Sequence, residues 1–432
     1  MSDVEKITGK CALRGEVLLP GDKSISHRAA ILLCLSDGQA KVRNFSQSED
    51  VWSTVAVLQA LGGQFERAGN GIIVRGFGAR GPVQPNAPLD AQNSGTTMRL
   101  VAGVLAGWPI KTRLIGDESL QQRPMKRIIE PLSSMGAVIS GTQKGTAPLE
   151  IQGGNLSAIE WQLPVASAQV KSCIMLAGLR ARGRTIVTES PVSRDHTERM
   201  MKYLGINLDE KYNDNRHTVA LEGFQRLQPH DISVPGDFSS AAFLISCALL
   251  CEGSLIKIKN VGVNPTRTGF FKILKSMGAR VELENKREVC GEPVSDIVAR
   301  YSKLKAITVG REQIPSLIDE IPALAVLATQ AIGTTRITGA GELRVKESDR
   351  LKTITVELTK MGAKIEELQD GLVIEGPVSL KGATVSSQSD HRIAMALAVA
   401  GLIADGETII EKPECVSISF PNFFDTLSFF KK

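Results

Sequence analysis

The chain is written twice. Leu19-Pro20-Gly21-Asp22-Lys23-Ser24 returns 215 residues later, half of the 432-residue length, as Val234-Pro235-Gly236-Asp237-Phe238-Ser239. In each copy an apolar stretch runs into a Pro-Gly turn, and an Ala-rich helical pattern follows. Phe238 stands where the first copy has Lys23, which suggests a kept fold and divided chemistry. A duplication of this size predicts two like-built domains, as the length does on its own.

A finer repeat lies inside the larger one. Leu61-Gly62, Met135-Gly136, Leu204-Gly205, Met277-Gly278 and Met361-Gly362 each close a helical pattern, at spacings of 74, 69, 73 and 84 residues. A short strand-like stretch follows each, such as Ala137-Val138-Ile139-Ser140. Glycine suits the left-handed position past a helix end. A sixth unit fits if its helix, near Phe420 to Phe430, runs off the chain end. The pattern predicts six units of strands and helices, three per domain. Two facing repeats would leave a cleft, the usual place for a ligand. Helices starting at Ser24, Ser94, Ser167, Asp319 and Ser389 would suit such a cleft if their N-termini face it.

The segment Pro20 to Arg28 predicts an anion site. Ile25, Ala29, Leu32 and Leu33 fall at helical spacing, so one face can be buried. Lys23 and Ser24 occupy the first turn, where backbone N–H groups lack partners and the dipole is positive. Arg28 follows one turn on, and a helix start with two cations is suited to an anion. Similar elements recur. Asn93 to Arg99 offers Gly95 for close backbone approach and Arg99 for charge. Ser167 to Lys171 offers the neutral donors Ser167 and Gln169, with Lys171 either meeting an anion or solvated. Arg123 sits before Pro124 at a further helix start, where an isolated arginine is usually at the surface. Arg194 to Glu198 reads as a capped helix start with Arg194 facing an anion, since no second cluster at metal spacing accompanies it.

The second half places acids among bases: Asp319-Glu320, the run Arg344 to Arg350, and Ser389-Asp390-His391-Arg392. Each element alone reads as a helix cap or a solvated charged face. Together, in one duplicated chain, they read as the wall of an active site. Gly76 to Gly81 matches a dinucleotide fingerprint in letters only, because Pro82 and Pro85 follow and no helix can open there.

A net charge of +5 without a basic block favours small acidic substrates over nucleic acid. Aromatic residues are only 4%, too few for base-stacking platforms. No apolar run is long enough to span a bilayer, and Met1 to Lys6 lacks signal-peptide character. Seven cysteines, odd in number and without a Cys-x-x-Cys pair, read as reduced structural residues of a cytoplasmic protein.

Taken in order, Pro20 to Arg28, Asn93 to Arg99, Ser167 to Lys171, Ile318 to Leu324, Arg344 to Arg350 and Asp390 to Arg392 resemble the 5-enolpyruvylshikimate-3-phosphate synthase family of enolpyruvyl transferases. The resemblance implies a two-domain inside-out α/β barrel, each domain three βαβαββ repeats. It implies a first lobe over 21–232, on the shikimate 3-phosphate side, and a second over 1–20 and 233–432, carrying the catalytic acids on the phosphoenolpyruvate side. The implied reaction moves the enolpyruvyl group of phosphoenolpyruvate to the 5-hydroxyl of shikimate 3-phosphate and releases phosphate. The implied shikimate 3-phosphate ligands are Lys23, Ser24, Arg28, Ser167, Gln169, Arg194, Asp319 and Lys346. Those for phosphoenolpyruvate are Lys23, Gly95, Arg123, Gln169, Arg350 and Arg392. Asp319 is the expected base for the hydroxyl, and Glu347 with Lys23 handles the proton at the methylene carbon. His391 either positions the leaving phosphate or caps its helix. No metal or cofactor is implied; the partners are the two small substrates, with no nucleic acid and no membrane, in a monomer.

Two features depart from the family pattern. Many members carry a lysine before the C-terminal Thr-Phe-Pro, where this chain has Val416-Ser417-Ile418-Ser419-Phe420-Pro421. Arg194 to Glu198, Asn264 to Arg267 and Ser167 to Lys171 resemble the glyphosate-tolerant branch, while Gly95 keeps the small residue of sensitive members. The nearest rival is UDP-N-acetylglucosamine enolpyruvyl transferase, which usually carries a reactive loop cysteine. Here the candidate cysteines, Cys34 and Cys173, fall in apolar helical patterns. A non-catalytic polyanion binder is the other alternative, disfavoured by dispersed cations.

Overall fold

The computed structural model describes residues 4–9 and 12–430. The chain divides into two compact units. One comprises Gly21–Val234 with Glu288–Glu292, and the other Met1–Pro20, Pro235–Arg287 and Pro293–Lys432. We refer to them as the first-half and second-half units.

The duplicated hexapeptide builds the same local structure twice. Asp22 caps helix Lys23–Cys34 by accepting the Ile25 N–H at 2.9 Å, and Asp237 caps helix Phe238–Leu250 by accepting the Ser240 N–H at 2.9 Å. A side-chain cap of this kind contributes about 1 kcal/mol. At Gly21 a Cβ would lie 1.8 Å from the Asn44 carbonyl oxygen, so no side chain fits. The finer repeat has the predicted backbone as well. Gly62, Gly136, Gly205, Gly278 and Gly362 all lie just past a helix, with φ between +80° and +105°.

Apart from the two-stranded parallel pair Leu156–Ser157 with Ala181–Arg182, the strands follow one rule. Among the described residues, five four-stranded sheets each run parallel, antiparallel, antiparallel. In one, Leu89–Asp90 pairs parallel with Lys111–Ile115, which pairs antiparallel with Leu149–Gln152, beside Val138–Ser140. The sixth set has three strands. Thr384–Ser386 pairs parallel with Thr408–Glu411, and the N-terminal strand Val4–Ile7 pairs antiparallel on its other side. The sixth unit's helix Phe423–Phe430 does fall near the chain end, and its sheet borrows a strand from the chain start. The architecture is mixed α/β, built of open sheets.

The helices that carry the motifs are more deeply buried than the spacing predicted. From Ile25 to Cys34 every residue of the first helix is buried, including Ser26, His27 and Arg28. Phe238–Leu249, Ile321–Ala328 and His391–Leu402 are buried throughout in the same way. Such helices have no wet face, so the amphipathic reading of Ile25 to Leu33 is corrected. Small residues allow the close packing: a Cβ on Gly103 of helix Gly95–Ala106 would lie 2.3 Å from the Cys173 carbonyl oxygen on helix Ala168–Gly178.

Some helix starts also shift. Asp22 rather than Ser24 precedes the first helix, and Asp390 rather than Ser389 caps His391–Ile403. Asp319 lies in the 3-10 turn Ile318–Glu320, ahead of helix Ile321–Ala328. The first two shifts put a carboxylate, a stronger acceptor than a hydroxyl, where N–H groups point. None of the six described cysteines is in a disulfide, and five of them are buried; Cys11 lies outside the described residues. Gly76 to Gly81 holds only the 3-10 turn Gly78–Arg80, as the two prolines predicted. Among the described residues no helix is long and apolar enough to cross a membrane.

Candidate active site

In the first-half unit, Arg28 is the organising cation. It is 4% exposed, and its guanidinium donates to Thr197 Oγ1 at 2.6 Å, Ser172 Oγ at 2.9 Å and the Ser24 carbonyl at 3.0 Å. These acceptors are neutral. Burial pulls the Arg28 pKa down to about 10, with Arg194 pushing the same way and Glu198 opposing. A buried cation satisfied by hydroxyls and a carbonyl still favours an anion nearby. His27, beside it, is held well below its ordinary pKa by burial, then by Lys23 and Arg28; its ring Nδ1 meets Thr54 Oγ1 at 2.6 Å. That imidazole is neutral at pH 7.

The other motifs of this unit interlock. Lys23 donates to Asp50 at 2.9 Å. Gln169 donates to Thr96 Oγ1 at 2.9 Å, and its carbonyl oxygen accepts from Arg99. Arg123 donates to Asn93 Oδ1 at 2.9 Å. Between the two arginines, a Cβ on Gly95 would lie 3.2 Å from Arg99 Nη1 and 3.3 Å from Arg123 Nη1. Ser94 and Ser167 cap their helices by accepting from Thr97 N and Val170 N. Lys23, Gly95, Arg123, Ser167 and Gln169 thus sit at helix starts and turns of one unit, linked by Asp50, Asn93, Thr96 and Arg99.

Three readings of this half are corrected. Arg123 ends helix Glu118–Gln122 rather than opening a helix, and it is 8% exposed, not a surface residue. Lys171 is neither solvated nor free to meet a substrate. It is fully buried, 2.5 Å from Glu189 and 2.7 Å from Glu198. Burial opposes its charge, but the two carboxylates outweigh that and hold its pKa above the ordinary range. The helix His196–Tyr203 lacks a side-chain cap, because Asp195 accepts from Arg199 Nε at 2.8 Å instead.

In the second-half unit the cations meet carboxylates. Arg350, 2% exposed, donates from Nε to Asp390 at 2.7 Å and from Nη2 to Glu347 at 2.6 Å, with Asp319 3.5 Å from Nη1. Burial alone would lower the Arg350 pKa; Asp390 and Glu347 reverse the shift and raise it. Lys346 lies 3.8 Å from Asp319. Arg392 donates its backbone N–H to Asp390 at 2.9 Å, while its Nη1 lies 3.7 Å from Glu320. Asp319, Lys346, Glu347, Arg350 and Arg392 are therefore gathered in one cluster, with His391 buried at the head of its helix.

Sequence reasoning named Glu320 and Asp390 among the acids of the second half and Thr197 within Arg194 to Glu198 without giving them a contact; it missed Asp50, and Ser172 lies one residue beyond the Ser167 to Lys171 motif. Asp390 and Glu320 carried the same signal, an acid immediately before an apolar helix. Asp50 and Thr197 reach the cluster from separate helices, which one-dimensional spacing does not reveal.

The family model for EPSP synthase (3-phosphoshikimate 1-carboxyvinyltransferase) matches residues 7–427. The chain belongs to this family. It is 49% identical to 3-phosphoshikimate 1-carboxyvinyltransferase of Brevibacillus brevis over 416 residues, covering 96% of this chain and 97% of the relative. It is 48% identical to the enzyme of the same name from Bacillus cereus, with 96% of each covered. The solved EPSP synthase of Acinetobacter baumannii superimposes with a TM-score of 0.86 at 42% identity, over 98% of this chain and 97% of that one. The enolpyruvyl transferase NikO of Streptomyces tendae, at 16% identity and TM-score 0.77 over 99% and 97%, shares the fold. With the family shown, the UDP-N-acetylglucosamine and polyanion readings are set aside. Cys34 and Cys173 are fully buried in helices, and burial pushes the Cys34 thiol up to about 12.

Proposed function

We infer that the protein transfers the enolpyruvyl group of phosphoenolpyruvate to the 5-hydroxyl of shikimate 3-phosphate, releasing phosphate. The observation that carries the reading beyond family membership is one cluster: Asp319 and Glu347 share the guanidinium of Arg350, with Lys346 3.8 Å from Asp319. The reaction needs a base and an acid beside fixed cations, and this cluster supplies all three.

Asp319 takes the proton of the 5-hydroxyl as its oxygen bonds to C2 of phosphoenolpyruvate. Glu347, with Lys23, delivers a proton to the methylene carbon, giving a tetrahedral intermediate. The same groups remove a methyl proton as the C–O bond to phosphate breaks, so the double bond returns and phosphate leaves. His391 positions that phosphate. Lys23, Ser24, Arg28, Ser167, Gln169, Arg194, Asp319 and Lys346 hold shikimate 3-phosphate. Lys23, Gly95, Arg123, Gln169, Arg350 and Arg392 hold phosphoenolpyruvate. Arginine suits forked contact with carboxylates and phosphates.

The first-half unit supplies most of the shikimate 3-phosphate ligands and the phosphoenolpyruvate ligands Lys23, Gly95, Arg123 and Gln169, and the second-half unit supplies Arg350, Arg392 and the carboxylates of the proton transfers. The inside-out barrel arrangement, the monomeric state and a cytoplasmic location belong to the same proposal. Buried cysteines outside any disulfide support the last, because such thiols persist in reducing compartments.

Phosphate release is the test. Metal-chelated protein with phosphoenolpyruvate and shikimate 3-phosphate should release phosphate. Release with UDP-N-acetylglucosamine instead, or with neither acceptor, overturns the assignment.

A further inference from the structure

Asn264 to Arg267 has no role in the reaction as described, yet Arg267 is among the best-held side chains in its unit. It is 3% exposed and lies in the turn before helix Gly269–Ser276. Its guanidinium forks onto Glu320, Nη1 to Oε2 at 2.7 Å and Nη2 to Oε1 at 2.8 Å. Glu320 is fully buried and also accepts from the Ser239 hydroxyl. The same Oε1 faces Arg392 Nη1 at 3.7 Å, too long for a hydrogen bond. Glu320 therefore stands where three helix starts are joined: Ser239 on Phe238–Leu250, its own place before Ile321–Ala328, and Arg392 on His391–Ile403. It also directly follows Asp319.

We propose that Arg267 is a positioning residue for phosphoenolpyruvate: by neutralising Glu320 it keeps Arg392 available to the substrate carboxylate. The inference rests on the transfer reaction proposed above and deepens it. A buried carboxylate must be paired. Arg267 supplies one positive charge and a matched fork, so Arg392 stays beside Glu320 without being captured by it. Without the Arg267 charge, Glu320 has one cation within reach, and Arg392 closes the 3.7 Å gap. The substrate then loses a cation without any change in the residues that touch it.

The test compares Arg267→Met with the double variant Arg267→Met/Glu320→Gln and with Arg267→Lys, each first checked for a cooperative thermal transition. Turnover by the parent protein establishes the transfer reaction before any variant is compared, so failure there is distinct from failure here. Arg267→Met should raise the KM for phosphoenolpyruvate by about tenfold or more, with that for shikimate 3-phosphate changed by less than about threefold. The double variant, which removes the competing charge, should recover most of the lost affinity; Arg267→Lys should stay within about threefold of the parent. If Arg267→Met does not fold, Arg267→Gln takes its place with the same criteria. Equal rises in both KM values, or a double variant no better than the single, would show a merely structural role and overturn the proposal.

Discussion

Arg28, more than a turn into helix Lys23–Cys34, and Arg350, first residue of helix Arg350–Lys360, are both buried, yet they are satisfied in opposite ways. Arg28 spends its N–H groups on two hydroxyls and a carbonyl, and its pKa falls to about 10. Arg350 spends its own on Asp390 and Glu347, and its pKa rises. Neutral partners leave a positive field for an incoming dianion. Charged partners cancel the field but place carboxylates where protons must move. The division matches the duplicated motif, in which Lys23 of the first copy became Phe238 in the second. In the proposed reaction one duplicated frame supplies mostly cations from its first copy and mostly carboxylates from its second.

Breaking the proton-handling side should have the largest effect. Asp319→Ala should lower kcat by about 10³-fold or more while the thermal transition is kept, because it removes the proposed base for the 5-hydroxyl. A near-parental rate would remove Asp319 from the mechanism. On the binding side, Arg28→Gln should weaken shikimate 3-phosphate by about 2–5 kcal/mol, read by calorimetric titration. A loss of phosphoenolpyruvate affinity alone would reverse the assignment of the two halves.

The buried ion cluster under the binding side gives a stability test. Lys171→Met leaves Glu189 and Glu198 without their cation and should cost about 3–5 kcal/mol in denaturant unfolding. Gly95→Ala is gentler. Its Cβ would press on the flexible ends of Arg99 and Arg123 at 3.2–3.3 Å, so a rise of about fivefold in the phosphoenolpyruvate KM is expected, with shikimate 3-phosphate little changed.

The smallest effect concerns pH. His27 is neutral when folded and titrates near 6.5 when unfolded. Only the unfolded chain takes up that proton as pH falls below 6.5, so His27 costs stability there by up to about 1.4 kcal/mol per pH unit. His27→Asn should flatten the stability profile between pH 6.5 and 5. An unchanged slope would place the histidine's titration elsewhere.

Sequence determined the repeat, and with it much of the local structure. The Pro-Gly turns and the five left-handed glycines are short-range chemistry, so adjacent residues were enough to predict them, whereas the Asp22 and Asp237 caps were seen only in the folded chain. The clustering of Asp319 with Arg350, or of Gly95 with Arg123, was legible only through motif resemblance, because no periodic pattern links residues 28 or 31 positions apart.

Tertiary structure alone decided which charges face a substrate and which hold the protein together. Lys171, Glu198, Arg267 and Glu320 look like neighbours of the site in sequence, and all four are buried in ion pairs. A charge in a one-dimensional pattern carries no record of its desolvation. That record is written by partners brought from distant segments, as Glu189 is to Lys171 and Arg267 is to Glu320, and only the folded chain fixes whether the charge is cancelled or left for a ligand.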